Sequence, residues 1–238
     1  MSTPLQSFKK FIQDNIFPPD YTCNLCGIEV FGTELCADCL KKMTFNNGAT
    51  CTVCGRRIPA SGVCIECKAA PPEFKRAYSA FVYSDGAAQL ITQFKNGKPY
   101  LAVYLARYME KSLKELDADC IVCVPMTTKV LKKRGYNQSE LLAKELAELT
   151  GLPVLTDAAL KVHSTSEQKY LSREDRSKNL RGCFKADKAL VKDRRILVVD
   201  DVMTTGSTLN ELCKTLKRAG AVEVYAVTAA SVEYPVLP

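Results

Sequence analysis

The chain has 238 residues, a mass of 26.3 kDa and a formal net charge of +7, with 47% hydrophobic and 25% charged residues. That mix excludes wholesale disorder and collagen-like repetition, and the length fits one ordinary domain with a small appendage. No run of about 18 apolar residues occurs, which excludes a membrane-spanning helix, and twelve cysteines without an export signal argue for metal binding rather than a disulfide scaffold.

In chain order, residues 4–17 set Leu5, Phe8, Ile12 and Ile16 on one helical stripe, closed by Phe17-Pro18-Pro19. Polar residues interrupt the stretch and no small-residue cleavage site follows. A cytoplasmic protein without stable membrane insertion is therefore expected. The stripe suits docking onto the cysteine module that follows; a membrane-surface helix is the alternative.

Eight cysteines precede residue 68, as Cys23-x2-Cys26-x9-Cys36-x2-Cys39 and Cys51-x2-Cys54-x9-Cys64-x2-Cys67. Each member of the second set lies 28 residues after its counterpart, so the module is a tandem repeat. Gly27 and Gly55 follow the first knuckle of each repeat and relieve its tight turn. Two knuckles supply four thiolates, the tetrahedral set that zinc prefers. Two structural Zn²⁺ sites are expected; iron–sulfur ligation and redox-active pairs compete for the same spacing. Pairing of knuckles within each repeat is simplest, and interleaving between repeats is the alternative. Each loaded site carries a formal charge of about −2, which makes the module acidic.

Ala69-Ala70-Pro71-Pro72 is the best domain boundary, dividing an N-terminal helix and double zinc ribbon (1–70) from the remainder (71–238). Beyond it, residues 77–84 read as a strand, and 86–95 and 99–115 as helices parted by Asn96-Gly97. Residues 120–125 read as a buried strand and 138–150 as a helix closed by Gly151. Residues 196–201 read as a buried strand, 207–219 as a helix and 222–230 as another buried strand. Continuous apolar strands alternating with helices imply an α/β fold, a parallel sheet with helices on both faces. Cys120 and Cys123 face opposite sides of one such strand and read as core. The only histidine, His163, lies in a polar stretch, which leaves no histidine-based catalytic set.

Charge is uneven. Residues 129–195 carry 16 basic and 9 acidic side chains, enough to account for the whole excess. An anionic partner is expected there.

The chemistry concentrates in ILVVDDVMTTGSTL, residues 196–209. A buried strand delivers Asp200 and Asp201 to its carboxyl end, where open α/β sheets bind ligands. The loop Val202–Gly206 follows, and Ser207 and Thr208 open a helix. Small residues, free amides, hydroxyls and a helix N-terminus suit a phosphate. Two carboxylates repel that phosphate, so they suit sugar hydroxyls or a Mg²⁺ beside a polyphosphate. A receiver domain also has a strand reading ILVVDD, but it needs about 115 further residues and only 37 remain after Asp201. No G-x-x-x-x-G-K-[ST] phosphate loop is present.

VVDDVMTTGST resembles the phosphoribosyl-pyrophosphate signature of type I phosphoribosyltransferases. Phe17-Pro18-Pro19 before the first knuckle, Val124-Pro125 followed by Arg134-Gly135-Tyr136-Asn137-Gln138, and Arg176-x2-Asn179-Leu180-Arg181-Gly182-x-Phe184 resemble the ComF family of bacterial competence proteins. The resemblance implies a type I phosphoribosyltransferase-like domain after the ribbons. By the family's motif, Asp200 and Asp201 meet the ribose hydroxyls, and Thr204, Thr205, Gly206, Ser207 and Thr208 wrap the 5-phosphate. Met126, Thr127, Thr128 and Lys129 occupy the pyrophosphate-loop position, and residues 161–181 form a lid. His163-Ser164 departs from the arginine that relatives often carry there.

In that reading, Mg²⁺ with Lys129, Lys132, Lys133 and Arg134 offsets charge on a pyrophosphate leaving group, which is positioning and electrostatic stabilisation. Residues 73–100 are expected to shape the acceptor side. A second reading is a single-stranded-DNA-handling factor. There, Lys132, Lys133, Arg134, Lys178, Arg181, Lys185, Arg194 and Arg195 contact phosphates, and Tyr136, Tyr170 and Phe184 stack on bases; core packing is the alternative for those rings. A third use is the ribbons as a dock for a helicase-like competence protein or a second copy of the chain.

Overall fold

The computed structural model describes residues 22–31, 33–162 and 182–233. The helix expected at 4–17, His163, Tyr170, Lys178, Arg181 and most of the expected lid lie outside the described residues.

Two short helices, α1 (Ala37–Lys41) and α2 (Ile65–Ala69), belong to the cysteine repeats. The rest runs β1 (Arg76–Val82), α3 (Asp85–Lys95), α4 (Leu101–Ser112), β2 (Cys120–Cys123), α5 (Thr128–Arg134) and α6 (Gln138–Thr150). It continues through β3 (Ala159–Lys161), β4 (Phe184–Ala186), α7 (Lys188–Val191), β5 (Arg195–Met203), α8 (Ser207–Arg218) and β6 (Glu223–Ser231). The strands and helices expected between residues 77 and 230 are present, shifted by a few residues at their ends. The basic stretch after Thr127 is an additional helix, α5. Strands β3 and β4 pair antiparallel across the base of the expected lid.

The main sheet has the order β1-β6-β5-β2, and every pairing is parallel. Its strands are apolar on both faces because both faces are covered. On one side Ile121, Cys123, Leu197, Val199 and Val227 pack with Leu90, Leu105 and Leu142 from α3, α4 and α6. On the other, Cys120, Val122, Ile196, Val198 and Val224 pack with Leu209, Leu212 and Leu216 of α8. Cys120 and Cys123 thus enter opposite cores, as their spacing requires. Each fully buried leucine here contributes about 1.5–3 kcal/mol.

The cysteine repeats straddle the β1 edge. The first packs against the α3–α4 face and the second against the α8 face. The connection between them, together with Val53 of the second repeat, covers the unpaired side of β1. Val82 N–H donates to the Thr44 carbonyl at 2.8 Å, Asn46 N–H to that of Ala80 at 2.9 Å, and Ala77 N–H to that of Val53 at 2.8 Å. An exposed edge strand invites adventitious pairing; here the ribbon backbone satisfies it. Gly55 permits the close approach, since a Cβ there would lie 2.3 Å from the Ala77 carbonyl oxygen.

Candidate functional site

The chain leaves β2 and β5 in opposite directions. After β2 it passes through α6 and returns outside β2, where Ile121 bridges Val154 in parallel. After β5 it passes through α8, on the other face, to β6. Between the carboxyl ends of β2 and β5 the order therefore reverses, the crevice where open α/β sheets bind ligands.

A cavity of about 240 Å³ occupies this position. Its walls are Val124, Pro125, Met126 and Thr127 after β2, Val130 and Arg134 of α5, and Ser139 of α6. Lys161 from β3, Asp200 and Asp201 from β5, Thr208 from α8 and Lys95 from α3 complete it.

Local structure aims these groups. Asn137 Nδ2 donates to the Val124 carbonyl at 3.1 Å, and its Oδ1 accepts from Ser139 N–H at 3.1 Å. One side chain thus caps α6 and ties it to the end of β2. That places Ser139 so that its hydroxyl donates to Asp200 Oδ1 at 2.8 Å, while Asp201 N–H donates to the same oxygen at 2.9 Å. Lys95 Nζ lies 2.8 Å from Asp201 Oδ2. Burial, and next the neighbouring charge of Asp201, push the Asp200 carboxyl up to about 7, against the pull of Ser139. Gly206 adopts φ +76°, which turns the loop into α8, and Thr205 Oγ1 and Ser207 Oγ stand 2.9 Å apart at its entrance. Thr127 Oγ1 is buried and has no hydrogen-bond partner among the described residues.

The structure therefore brings Asp200, Asp201, Thr127 and Thr208 to one cavity. Thr204, Thr205, Gly206 and Ser207 form the loop beside it, and Thr128 and Lys129 begin α5 at its rim. Arg134 lines the cavity, whereas Lys132 and Lys133 are exposed on the same helix. Residues 73–100 supply β1 and α3 and reach the cavity only through Lys95. Lys95, Ser139 and Lys161 were not singled out from sequence. Ser139 carried a signal in following the Asn137 cap; Lys95 and Lys161 carried none.

Some expected nucleic-acid contacts are not brought together. Phe184 is buried in the core, and the Tyr136 hydroxyl donates to the Phe94 carbonyl while its ring packs on Phe94. Arg195 is held by Asp117 and Asp119 at the amino end of β5, away from the cavity.

The cysteines close into two tetrads, Cys23/Cys26/Cys36/Cys39 and Cys51/Cys54/Cys64/Cys67. Within each, all sulfurs lie within 4.8 Å of one another, so knuckles pair within repeats. Burial opposes ionisation of Cys51, yet backbone N–H donors from Cys64, Cys54 and Val53 bring its thiol down to about 7. Four convergent sulfurs with amide donors fit a tetrahedral zinc ion, which prefers thiolate.

Comparison with known proteins matches residues 105–233 to the phosphoribosyl transferase domain and residues 12–68 to the double zinc ribbon domain. Competence protein F of Haemophilus influenzae is 38% identical over 125 residues, 51% of this chain and 55% of that protein. DNA utilization protein YhgH of Salmonella typhimurium is 32% identical over 166 residues, 66% of this chain and 73% of the relative. The chain belongs to the ComF family. It spans little more than half of the Haemophilus protein. Among solved structures, glutamine phosphoribosylpyrophosphate amidotransferase from B. subtilis is 23% identical, covering 61% of this chain and 28% of its own, with a TM-score of 0.37. The ComF-family architecture thus joins two structural zinc tetrads to a phosphoribosyltransferase-type sheet. Among the described residues no helix is long and apolar enough to cross a membrane.

Proposed function

We propose that the switch-point crevice binds phosphoribosyl pyrophosphate and that the protein serves DNA uptake as a phosphoribosyltransferase-like factor. The carrying observation is the convergence of Asp200, Asp201, Thr127 and Thr208 on one cavity beside the α8 N-terminus. Asp200 and Asp201 accept from the ribose diol. Residues Thr204–Thr208 present loop and helix N–H groups to the 5-phosphate. Met126, Thr127, Thr128 and Lys129, with Arg134 and Lys161, face the pyrophosphate, and the orphaned Thr127 hydroxyl gains a partner there.

Mg²⁺ fits this site as a companion of the ligand. Asp201 is already matched by Lys95, and Asp200 ionises only near pH 7, so a bare cation gains little from the pair. Pyrophosphate oxygens supply the hard donors that magnesium requires. When bound, the ion neutralises charge on the leaving group; the protein's share is to orient the sugar and exclude water.

Calorimetry of the intact protein with phosphoribosyl pyrophosphate and Mg²⁺ tests the reading. Asp200→Asn with Asp201→Asn abolishes the binding heat while circular dichroism stays native. Equal affinity in wild type and variant overturns the assignment. A pyrophosphate-release assay across bases and single-stranded DNA then separates an enzyme from a binding protein.

One observation favours a second, compatible role. Lys129, Lys132 and Lys133 are exposed on α5 and make no ion pair with a described residue. A single DNA strand tracking past the crevice would find phosphate partners there. Its affinity should fall steeply with salt, and Lys132→Glu with Lys133→Glu should remove most of that dependence.

A further inference from the structure

The two zinc tetrads are built on one repeat, yet they are not equivalent. Their sulfur geometry matches: Cys26 and Cys36 Sγ are 3.8 Å apart, and so are Cys54 and Cys64 Sγ at the corresponding positions. Their surroundings differ. All four sulfur-bearing residues of the second tetrad are buried, between 2% and 7% exposed. In the first, Cys23 and Cys39 are buried, whereas Cys26 is exposed and Cys36 half-exposed.

The repeat itself shows what makes the difference. Residue 56 follows Gly55, and its counterpart 28 positions earlier is Ile28. Arg56 is buried, with its guanidinium against the Cys54 sulfur and in an ion pair with Glu66 inside the second knuckle. A buried cation between two knuckles both screens the net negative charge of a four-thiolate zinc centre and clasps the knuckles together. Ile28 offers no such cation and is 55% exposed. The counterpart of Glu66 is Asp38, whose side chain is 85% exposed and pairs with Lys41 on its own helix. Among the described residues the first ribbon therefore has no counterpart of the Arg56 cation or of its ion pair with Glu66.

We propose that the first tetrad is an oxidant-reactive zinc site, with Cys26 and Cys36 as the reacting pair, and that the second is a permanent staple. The ligand class is a small two-electron oxidant, a peroxide. The Cys26 and Cys36 thiolate sulfurs form an S–S bond and give up two electrons. These break the O–O bond of hydrogen peroxide, which takes up two protons and leaves as two waters. A zinc ion held by this tetrad would thereby lose the Cys26 and Cys36 donors and be released. Accessibility of the thiolate controls such chemistry, and only the first tetrad offers it.

The test uses the intact zinc-loaded chain. Hydrogen peroxide is added in the presence of a chromogenic zinc chelator, and the products are read by native mass spectrometry and peptide mapping. The expected result is release of one ion roughly tenfold or more faster than the other. The fast phase should coincide with a Cys26–Cys36 disulfide, while Cys51, Cys54, Cys64 and Cys67 resist alkylation. Release of both ions at one rate, or first loss from the second tetrad, overturns the proposal. Arg56→Ile, which copies Ile28, should bring the slow phase close to the fast one; because the decisive comparison is within the wild-type chain, it holds even if that variant fails to fold.

Discussion

Lys95 Nζ stands 2.8 Å from Asp201 Oδ2, so a residue at the end of α3 closes an ion pair over the acids at the end of β5. The pair does more than stabilise. It neutralises one of two adjacent carboxylates in a crevice proposed to receive an anionic sugar phosphate. Its partners are partly shielded, with side chains 30% and 13% exposed.

Removing only the lysine leaves Asp201 uncompensated beside Asp200. Lys95→Met should therefore cost about 1–2 kcal/mol of stability, short of the figure for a fully buried pair. Lys95→Met combined with Asp201→Asn should recover most of that loss. Urea denaturation of the four members of this double-mutant cycle measures the coupling, and additive effects would show that the pair carries no net interaction.

Asp200 makes stability fall with rising pH. Its folded-state pKa of about 7 lies above the ordinary aspartate value of 3.8. Between those values the folded chain holds a proton that the unfolded chain releases, so unfolding gains as pH rises. The contribution is fully present below the unfolded pKa and is lost as pH passes through 7. Asp200→Asn keeps an oxygen for Ser139 and Asp201 N–H without the charge. The variant should gain at least about 1 kcal/mol on the wild type at pH 8 and little at pH 4. Denaturation at the two pH values reads the difference directly.

Much of this architecture was visible beforehand because it rests on local patterns. The runs CIVC and ILVV are apolar without alternation, which fits a strand covered on both faces, and the spacing of eight cysteines pointed to two four-sulfur sites while leaving the pairing of knuckles open. What escaped was set by tertiary closure. Lys95 acquires its role because α3 ends over β5, a contact between residues more than a hundred positions apart. Helix α5 escaped because none of its residues is buried, so its basic sequence carries no apolar stripe to betray a helical period. Arg56 acquires its role only through the second ribbon folding around it and bringing Glu66 within ion-pair reach.

Chelation of both zinc ions should expose the edge of β1. The segment Thr44–Asn46 is held between the two tetrads and covers that edge through the Val82 and Asn46 amides. With the ribbons unfolded, hydrogen exchange at the Val82 and Ala77 amides should rise sharply. The amide of Val198, in the central strand β5, should stay protected because its partners β2 and β6 do not depend on the ribbons. Uniform loss of protection across the sheet would mean that the zinc module is required for the whole fold.

Gly55 is where ribbon and sheet depend on one another most sharply. Its φ of +68° is disfavoured for any side chain, and a Cβ would press within 2.3 Å of the Ala77 carbonyl oxygen and 3.0 Å of its carbon. Those are backbone atoms of β1, which cannot yield without breaking the sheet edge. Gly135 makes the control: its φ is +84°, but a Cβ there would meet nothing within 4 Å. Gly135→Ala should cost about 1 kcal/mol, the conformational penalty alone. Gly55→Ala adds the clash and should cost about 3 kcal/mol or more. Thermal denaturation of the zinc-loaded variants ranks them, and equal losses would show that the second ribbon can lift away from β1 at little cost.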